Sequence, residues 1–289
     1  MRKIHYGGIP KEFRSPETAS VVILPVPYDG TSTWVKGADK GPEAILEASE
    51  NMELYDIDLD AENFRVGIYT DDYITEDATP KKMSQAVFRK VKKWLDQGKF
   101  IVTIGGEHSV SIGAIQACHE HYPDLQVLQI DAHTDLRPEY EGSKYNHACV
   151  MARVREWCPF VQVGIRSMDI IEKQFVPEGK VFYASGIRNG RYGDWISEVT
   201  EKLGGKVYVT IDLDGLDPSI LPSTGTPEPS GLLYHEVVNL IRAVNEKHEI
   251  IGFDVVELCP NPNEKSSNFL ASKLLYQIIG FVFKKNGKL

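Results

Sequence analysis

Short hydrophobic runs alternate along this chain with longer segments of helical periodicity. Eight apolar, β-rich runs predict buried strands at 21–26, 64–69, 100–104, 126–130, 160–164, 180–183, 207–211 and 250–255. Between them, the spacing of apolar residues predicts helices at 41–48, 81–97, 109–121, 148–157, 192–203, 233–247 and 268–283, with a helical turn near 169–174. This alternation predicts an α/β protein with a mostly parallel eight-stranded sheet covered by helices on both faces.

The chain shows no internal repeat, low-complexity tract or linker, so we expect one domain over residues 1–289. Its 289 residues, 42% of them hydrophobic, can bury the core of one large α/β domain or of two small ones. The segment that begins at Met1 leads into no signal-peptide core, and no run approaches the ~18 apolar residues of a membrane span. We therefore expect neither a signal sequence nor a membrane anchor.

Charge and cysteine content narrow the classes of partner and compartment. A formal net charge of −9 and a pI near 5.4 disfavour nucleic acid and anionic membranes as partners, and favour a small cationic molecule. The four cysteines contain no C-x-x-C pair, which is typical of reduced thiols in the cytoplasm.

Potential metal ligands follow two of the predicted strands. Asp131, His133 and Asp135 come as the run at 126–130 ends, and an extended backbone would turn these alternate side chains to one face. The run at 207–211 ends in Asp212 and Asp214, which again lie two positions apart. One such string alone would also fit a polar loop in which Asp131 caps a helix and His133 is exposed. Two buried strands that both end in carboxylates indicate a shared cause, because such groups are costly to bury without a cation.

Other strand ends carry further candidates. His108 follows the run at 100–104 in the string GGEHS, and Asp254 and Glu257 come as the last run ends. Ligands of open parallel sheets gather beyond the carboxyl ends of the strands, where all these residues are expected. A lone histidine near a helix start is more often exposed than a ligand, so the interpretation of His108 depends on the neighbouring strand ends.

The number and type of these side chains predict the metal. The candidate ligands are four carboxylates and two imidazoles, those of His108, Asp131, His133, Asp135, Asp212 and Asp214. These are too many ligands for one ion that must also keep a coordination position open. Four negative charges balance two divalent cations, and oxygen ligands with some imidazole suit Mn²⁺. Two bridged ions lie ~3.5–4 Å apart and lower the pKa of a shared water towards neutrality. We therefore expect two Mn²⁺ per subunit and a hydroxide nucleophile.

Three strings carry a resemblance to a known family. GGEHS (105–109), DAHTD (131–135) and DLDGLDP (212–218), in this order, resemble the signatures of the arginase/agmatinase ureohydrolases, and the similarity covers nearly the whole chain beyond about residue 21. The resemblance implies a three-layer αβα sandwich and a binuclear manganese centre that hydrolyses a guanidinium group to urea and an amine. It also implies a homo-oligomer, either a trimer or a hexamer.

The resemblance also implies a role for each site residue. The first manganese would be held by His108, Asp131, Asp135 and Asp212, and the second by Asp131, His133, Asp212 and Asp214. Asp135 would pass a proton to the leaving amine, and the Glu257 carboxylate would pair with the guanidinium. His147 matches a histidine that shuttles protons or contacts substrate, although an ordinary residue at a helix start fits its position equally. Thr226 is expected to line the pocket, unless it serves only the turn.

The loop after Asp135 bears on the substrate. Arginases carry asparagine where this chain has Arg137, and the local pattern is more similar to agmatinases. We therefore expect agmatine to be hydrolysed to putrescine and urea, with Arg137 among the residues that contact the substrate. Two positions depart from the pattern, because Asn146 replaces a serine common in agmatinases and Glu107 replaces an aspartate common in the family. Since Asn146 adjoins His147, aminopropylagmatine, guanidinobutyrate and arginine stay open as substrates.

Two other classes of function stay open as well. The D-x-H pattern at 131–133 also begins metallophosphoesterase sites, but the G-N-H string of that class is missing here. A non-catalytic metal-binding subunit would be expected to lack at least one of the six ligands, and all six are present.

Overall fold

The computed structural model describes residues 4–289, so Met1–Lys3, part of the segment expected to carry no signal, lie outside the described residues. Its strands are Val21–Val26 (β1), Tyr55–Asp56 (β2), Ala61–Glu62 (β3), Ile68–Thr70 (β4), Phe100–Gly105 (β5), Leu125–Ile130 (β6), Phe160–Ile165 (β7), Val181–Tyr183 (β8), Lys206–Asp212 (β9) and Glu249–Val256 (β10). β2 and β3 pair as a separate antiparallel hairpin. The other eight strands form one sheet in the order β4-β1-β5-β10-β9-β6-β7-β8, with every neighbouring pair parallel.

Helices cover both faces of this sheet. They are Gly41–Ser49 (α1), Pro80–Leu95 (α2), Val110–His121 (α3), Val150–Val154 (α4), Ala184–Arg188 (α5), Trp195–Lys202 (α6), Tyr234–Lys247 (α7) and Ser266–Lys285 (α8). One core contains side chains of α1, α6, α7 and α8, and the other contains side chains of α2, α3 and α4. Alternate residues of β1 enter the two cores, Val21 and Ile23 the first, Val22 and Leu24 the second. The predicted three-layer αβα sandwich is confirmed.

Three predicted elements differ from the structure by more than two residues at one end. Residues 64–66 belong to the 3₁₀ helix Asn63–Val66 instead of a strand, because Gly67 (φ 77°) turns the chain before β4 begins. The helix predicted at 148–157 is the 3₁₀ helix His147–Cys149 followed by the short α4. The helix predicted at 192–203 begins only after Asp194, whose side chain accepts the N–H of Ser197. The hairpin and α5 escaped prediction because they are too short to show a period.

The four central strands of the sheet, β5, β10, β9 and β6, position the site. Because these strands are parallel, their carboxyl ends meet at one edge, and each is followed by residues singled out in the sequence. The turn after β5 depends on Gly106, where an added Cβ would lie 2.0 Å from the carbonyl oxygen of Tyr28. A glycine is therefore required for the chain to pass from β5 to His108. Within residues 4–289, none of the helices combines the length and hydropathy needed to cross a bilayer.

Candidate functional site

A cavity of about 330 Å³ opens at this edge of the sheet. Loops that follow the four central strands form much of its wall, and further loop residues such as Trp34 and Met168 complete it. Among the predicted site residues, all but Asp131 line this cavity: His108, His133, Asp135, Arg137, His147, Asp212, Asp214, Thr226 and Glu257. Asp131 is 1% exposed.

Two groups of ligand atoms meet at this cavity and share Asp131. In the triad His108, Asp131 and Asp212, and in the triad Asp131, His133 and Asp214, one ligand atom of each residue lies within 4.8 Å of the others. Asp131 turns Oδ2 to His108 Nδ1 at 3.2 Å and Oδ1 to His133 Nδ1 at 3.6 Å. Each oxygen of this carboxylate can therefore face a separate ion, which is the geometry of a bridging ligand.

Asp212 and Asp135 take different places from Asp131. Asp212 Oδ2 lies 3.4 Å from His108 Nδ1, so Asp212 joins the first triad, but it is not part of the second, in which it was also expected. Asp135 Oδ2 lies 2.9 Å from the same His108 Nδ1, yet Asp135 belongs to neither triad. The structure thus brings all six side chains together, with Asp131 as the one residue common to both groups.

The loop at 131–135 reaches this geometry without the extended backbone expected from its spacing. β6 ends at Ile130, and Asp135 has a left-handed φ of 51°. The buried carboxylate of Glu172 holds both neighbours of Asp135, because its Oε1 accepts the Thr134 hydroxyl at 2.7 Å and the Leu136 N–H at 2.8 Å. Glu172 therefore positions Asp135, a role that the sequence alone did not reveal because 36 residues separate it from the loop.

The electrostatics of the site fit a pair of cations. Burial would lower the pKa of His133, but the charges of Asp214 and Asp131 outweigh it and raise that pKa to about 12. Burial and then the neighbouring Asp214 raise the pKa of Asp212 well above its ordinary value. Protons must therefore balance the carboxylates when no cation does, and bound metal would displace those protons. The oxygen-rich donor set with two imidazoles suits Mn²⁺.

A threonine and a second carboxylate fix the hydrogen-bonding state of the His108 ring. Its Nδ1 is buried and makes no well-aligned hydrogen bond among the described residues. On the other side of the ring, Nε2 lies 2.8 Å from the hydroxyl of Thr210, which donates to Asp254 Oδ1 at 2.7 Å. Because Thr210 donates its hydroxyl proton to Asp254 in this hydrogen bond, its oxygen accepts the Nε2–H of His108. The lone pair of Nδ1 therefore faces the triad. Asp254, which the sequence analysis placed at the end of the last run, lies within β10 and acts through Thr210.

Glu257 and Thr226 approach the two triads. Glu257 follows β10 with a left-handed φ of 65°, and its Oε1 accepts the backbone N–H of His108 at 2.7 Å. Burial, followed by the neighbouring Glu107, raises the pKa of Glu257 well above its ordinary value. A cationic group in the cavity would offset the free-energy cost of ionising Glu257. Thr226 donates its hydroxyl to Asp214 Oδ2 at 3.2 Å, so it contacts a triad residue as well as lining the pocket.

Arg137 and His147 occupy other parts of the cavity wall. Arg137 Nη2 lies 3.5 Å from Asp169 Oδ2, and its guanidinium carbon lies 4.3 Å from the ring centroid of Tyr140. His147 turns Nδ1 to the hydroxyl of Thr31 at 3.2 Å. Burial, and then the positive charges of His133 and His108, lower the pKa of His147 to about 4.

Arg166 ties together the loops around Asp214, and the sequence analysis missed it. The five N–H groups of its guanidinium lie within hydrogen-bond distance, 2.6–3.3 Å, of six backbone carbonyl oxygens, those of Gly164, Asp214, Gly215, Leu216, Glu228 and Pro229. These carbonyls belong to the end of β7, the turn after β9 and the loop at 217–231. One side chain therefore sets the distance between the second triad and the loop that carries Thr226.

Replacing Arg166 with lysine is expected to destabilise the protein by roughly 2–4 kcal/mol, because an ammonium cannot reproduce the planar fork and leaves several carbonyls unpaired. Thermal unfolding of the two proteins measures the difference. Arg155→Lys is the matched control, since Arg155 stacks on Phe175 away from the cavity. Equal melting temperatures for Arg166→Lys and the parent protein would contradict the structural role of Arg166.

Comparisons with known proteins agree with this geometry. A family model described as the arginase family matches residues 19–280. The chain is 41% identical over 266 residues to the N(1)-aminopropylagmatine ureohydrolase of Thermus thermophilus, covering 91% of this chain and 90% of that protein. It is 32% identical over 276 residues to the agmatinase of Pyrococcus horikoshii, covering 91% and 92%. The crystal structure of agmatine ureohydrolase of Thermoplasma volcanium is similar with a TM-score of 0.87 and 29% identity, covering 99% of this chain and 97% of that one.

Proposed function

This chain belongs to the arginase family of ureohydrolases, and from that premise we propose that it hydrolyses the guanidinium group of a linear cationic amine to release urea. One observation carries the proposal: two carboxylate–histidine triads that share Asp131 meet at a cavity that Glu257 also lines. Membership in the arginase family argues against the metallophosphoesterase alternative. An active enzyme would also exclude the alternative of a non-catalytic subunit.

We propose that two Mn²⁺ bind at the triads, His108, Asp131 and Asp212 holding one and Asp131, His133 and Asp214 the other. When bound, such a pair of ions supplies Lewis acidity and lowers the pKa of water towards neutrality. Glu257 would bind and orient the guanidinium through paired, charge-assisted hydrogen bonds. Asp135, which lines the cavity outside both triads, would carry a proton to the departing amine nitrogen.

The charge of the cavity supports a substrate with several positive charges. Six carboxylate side chains line it, those of Asp135, Asp169, Glu172, Asp212, Asp214 and Glu257. Arg137 is the one lysine or arginine side chain among the lining residues of the described chain. Two divalent ions would balance the carboxylates of the triads and Asp135, which leaves an excess of negative charge for an amine substrate.

We propose N1-aminopropylagmatine as the first candidate substrate and agmatine as the second. The sequence favoured agmatine, with aminopropylagmatine among the alternatives. A relative that bears the first substrate in its name is 41% identical, whereas the agmatinase compared above is 32% identical. The aminopropyl group adds a further ammonium, which suits the acidic lining.

Urea release by the Mn²⁺-loaded protein tests the proposal directly. We expect urea from N1-aminopropylagmatine and from agmatine, with the higher kcat/KM for the first, and little from guanidinobutyrate or arginine. A preference for arginine or guanidinobutyrate would contradict the substrate class. No urea from any of the four compounds would contradict the proposed function itself.

Arg137→Ala is expected to separate carboxylate-free substrates from guanidinobutyrate. Because the guanidinium of Arg137 repels an ammonium but would pair with a carboxylate, its removal should leave kcat/KM for an amine substrate unchanged or raised. The same change should lower any activity on guanidinobutyrate about 10-fold or more, the loss expected for a charge-assisted hydrogen bond. Steady-state kinetics with both compounds measure this. Arg155→Ala is the control, because Arg155 also stacks on an aromatic ring, 4.1 Å from the Phe175 centroid, outside the cavity.

We further propose that residues 1–289 form one ureohydrolase domain that assembles as a trimer or hexamer. The family match over residues 19–280 supports a single domain. Light scattering of the purified protein would measure the number of chains in the assembly. The cytoplasmic location expected from the sequence stays a prediction.

A further inference from the structure

Thr31 lies between a buried carboxylate and the imidazole of His147. Its hydroxyl donates to Glu107 Oε1 at 2.6 Å, accepts the backbone N–H of His147 at 3.0 Å and lies 3.2 Å from His147 Nδ1. A hydroxyl group has one proton to donate and two lone pairs to accept with. The hydroxyl proton is donated to Glu107 and one lone pair accepts the backbone N–H of His147, so the remaining lone pair faces Nδ1. Nδ1 must therefore carry the hydrogen of the neutral ring.

Glu107 sets the direction of this hydrogen-bond chain. The residue is fully buried, and its Oε2 accepts the backbone N–H of Thr31 at 2.5 Å. The hydroxyl of Ser109 also donates to this carboxylate. Burial raises the pKa of Glu107, and the hydrogen bonds that Ser109 and Thr31 donate to it act in the opposite direction. In its ionised form this carboxylate can only accept hydrogen bonds, so the Thr31 hydroxyl proton then points to Glu107 and away from His147.

We propose that Glu107 and Thr31 are positioning residues that hold His147 in its Nδ1–H tautomer, so that the Nε2 lone pair is available to the guanidinium group of the substrate. This inference rests on the proposed function for its substrate, but the tautomer can be observed without any activity. The pKa of His147, lowered to about 4, keeps the ring neutral at neutral pH, so its tautomer decides what Nε2 offers. A lone pair on Nε2 accepts a hydrogen bond from an N–H of the guanidinium, whereas a hydrogen on Nε2 would repel that N–H.

Glu107→Gln is expected to reverse the direction of the hydrogen bonds from residue 107 through Thr31 to His147. The amide oxygen must face the Thr31 N–H, which needs an acceptor, and this leaves the amide NH₂ beside the Thr31 hydroxyl. That hydroxyl would then accept from the amide and donate to Nδ1, which moves the imidazole hydrogen to Nε2. We expect kcat/KM to fall about 10–100-fold, as for other outer partners that orient an active-site histidine.

Nitrogen NMR measures the tautomer directly. Protein labelled with ¹⁵N-histidine and loaded with diamagnetic Mg²⁺ in place of Mn²⁺ should show His147 with a protonated Nδ1 and an unprotonated Nε2, assigned with His147→Asn. In Glu107→Gln the two shifts should exchange. Thr31→Val should lose the fixed tautomer, and Thr31→Ser, which restores the hydroxyl, should recover it together with most of the activity.

Thr224→Val is the matched control for removal of a buried threonine hydroxyl. Thr224 is 6% exposed, its hydroxyl makes no hydrogen bond among the described residues, and it does not line the cavity. The inference is overturned if His147 keeps the Nδ1–H tautomer in both Glu107→Gln and Thr31→Val, even if both variants lose activity. A parent protein without urea release but with the expected shifts would contradict the proposed function and leave the tautomer assignment supported.

Discussion

Asp131→Asn is expected to lower urea release by about 10³-fold or more and to reduce the bound metal below two ions per chain. Asp131 is the residue common to both triads, and its two carboxylate oxygens face different histidines. An amide keeps the shape of the side chain but offers one weak oxygen ligand and no negative charge. Loss of a bridged metal pair removes several kcal/mol of charge stabilisation, and each 1.36 kcal/mol is a factor of ten in rate.

Two measurements check this expectation together. Elemental analysis gives the manganese bound per chain, and a urea assay gives the rate. Asp124→Asn is the matched control, because Asp124 precedes the amino end of β6 whereas Asp131 follows the carboxyl end, and Asp124 is exposed. This control should bind two ions and keep its activity. An Asp131→Asn protein with two bound ions and the parent rate would show that the triads are not the metal site.

Glu257→Gln is expected to lower kcat/KM for the guanidino amine by about 30- to 1000-fold while the metal content stays the same. The Glu257 carboxylate is partly buried at the cavity, and its negative charge is the feature proposed to pair with the guanidinium. Removing one partner of a buried, hydrogen-bonded charge pair costs about 2–5 kcal/mol, which gives the expected range. The amide oxygen of glutamine can still accept the His108 N–H, so we expect the fold to persist.

The control for this change lies on the same strand. Glu249 begins β10 at the opposite end from Glu257, and its side chain is 62% exposed, so Glu249→Gln should keep the parent kinetics. Steady-state kinetics and metal analysis of the two variants separate guanidinium binding from metal binding. A Glu257→Gln protein that loses manganese would assign Glu257 to the metal site instead, and one with unchanged kcat/KM would remove it from substrate binding.

The family strings and the strand pattern were enough to predict much of the site. Residues that follow strands of a parallel sheet must meet at one edge, so His108, Asp131 and Asp212 could be placed together before any coordinates. Thr226, selected from a loop only as a pocket residue, lies within hydrogen-bond distance of Asp214. The residues that support the site were not predictable, because Arg166, Glu172 and Thr210 act through contacts distant in sequence.

The sequence by itself determined the layer architecture and the set of candidate metal ligands, because hydrophobic periodicity and ligand spacing are local properties of the chain. Only the tertiary structure decided how these side chains are grouped, with Asp131 in both triads and Asp212 in one. It also decided the left-handed backbone of Asp135 and Glu257, and the place of the Thr31 hydroxyl between Glu107 and His147. These features depend on contacts between residues that are distant in sequence, and local periodicity holds no information about such contacts.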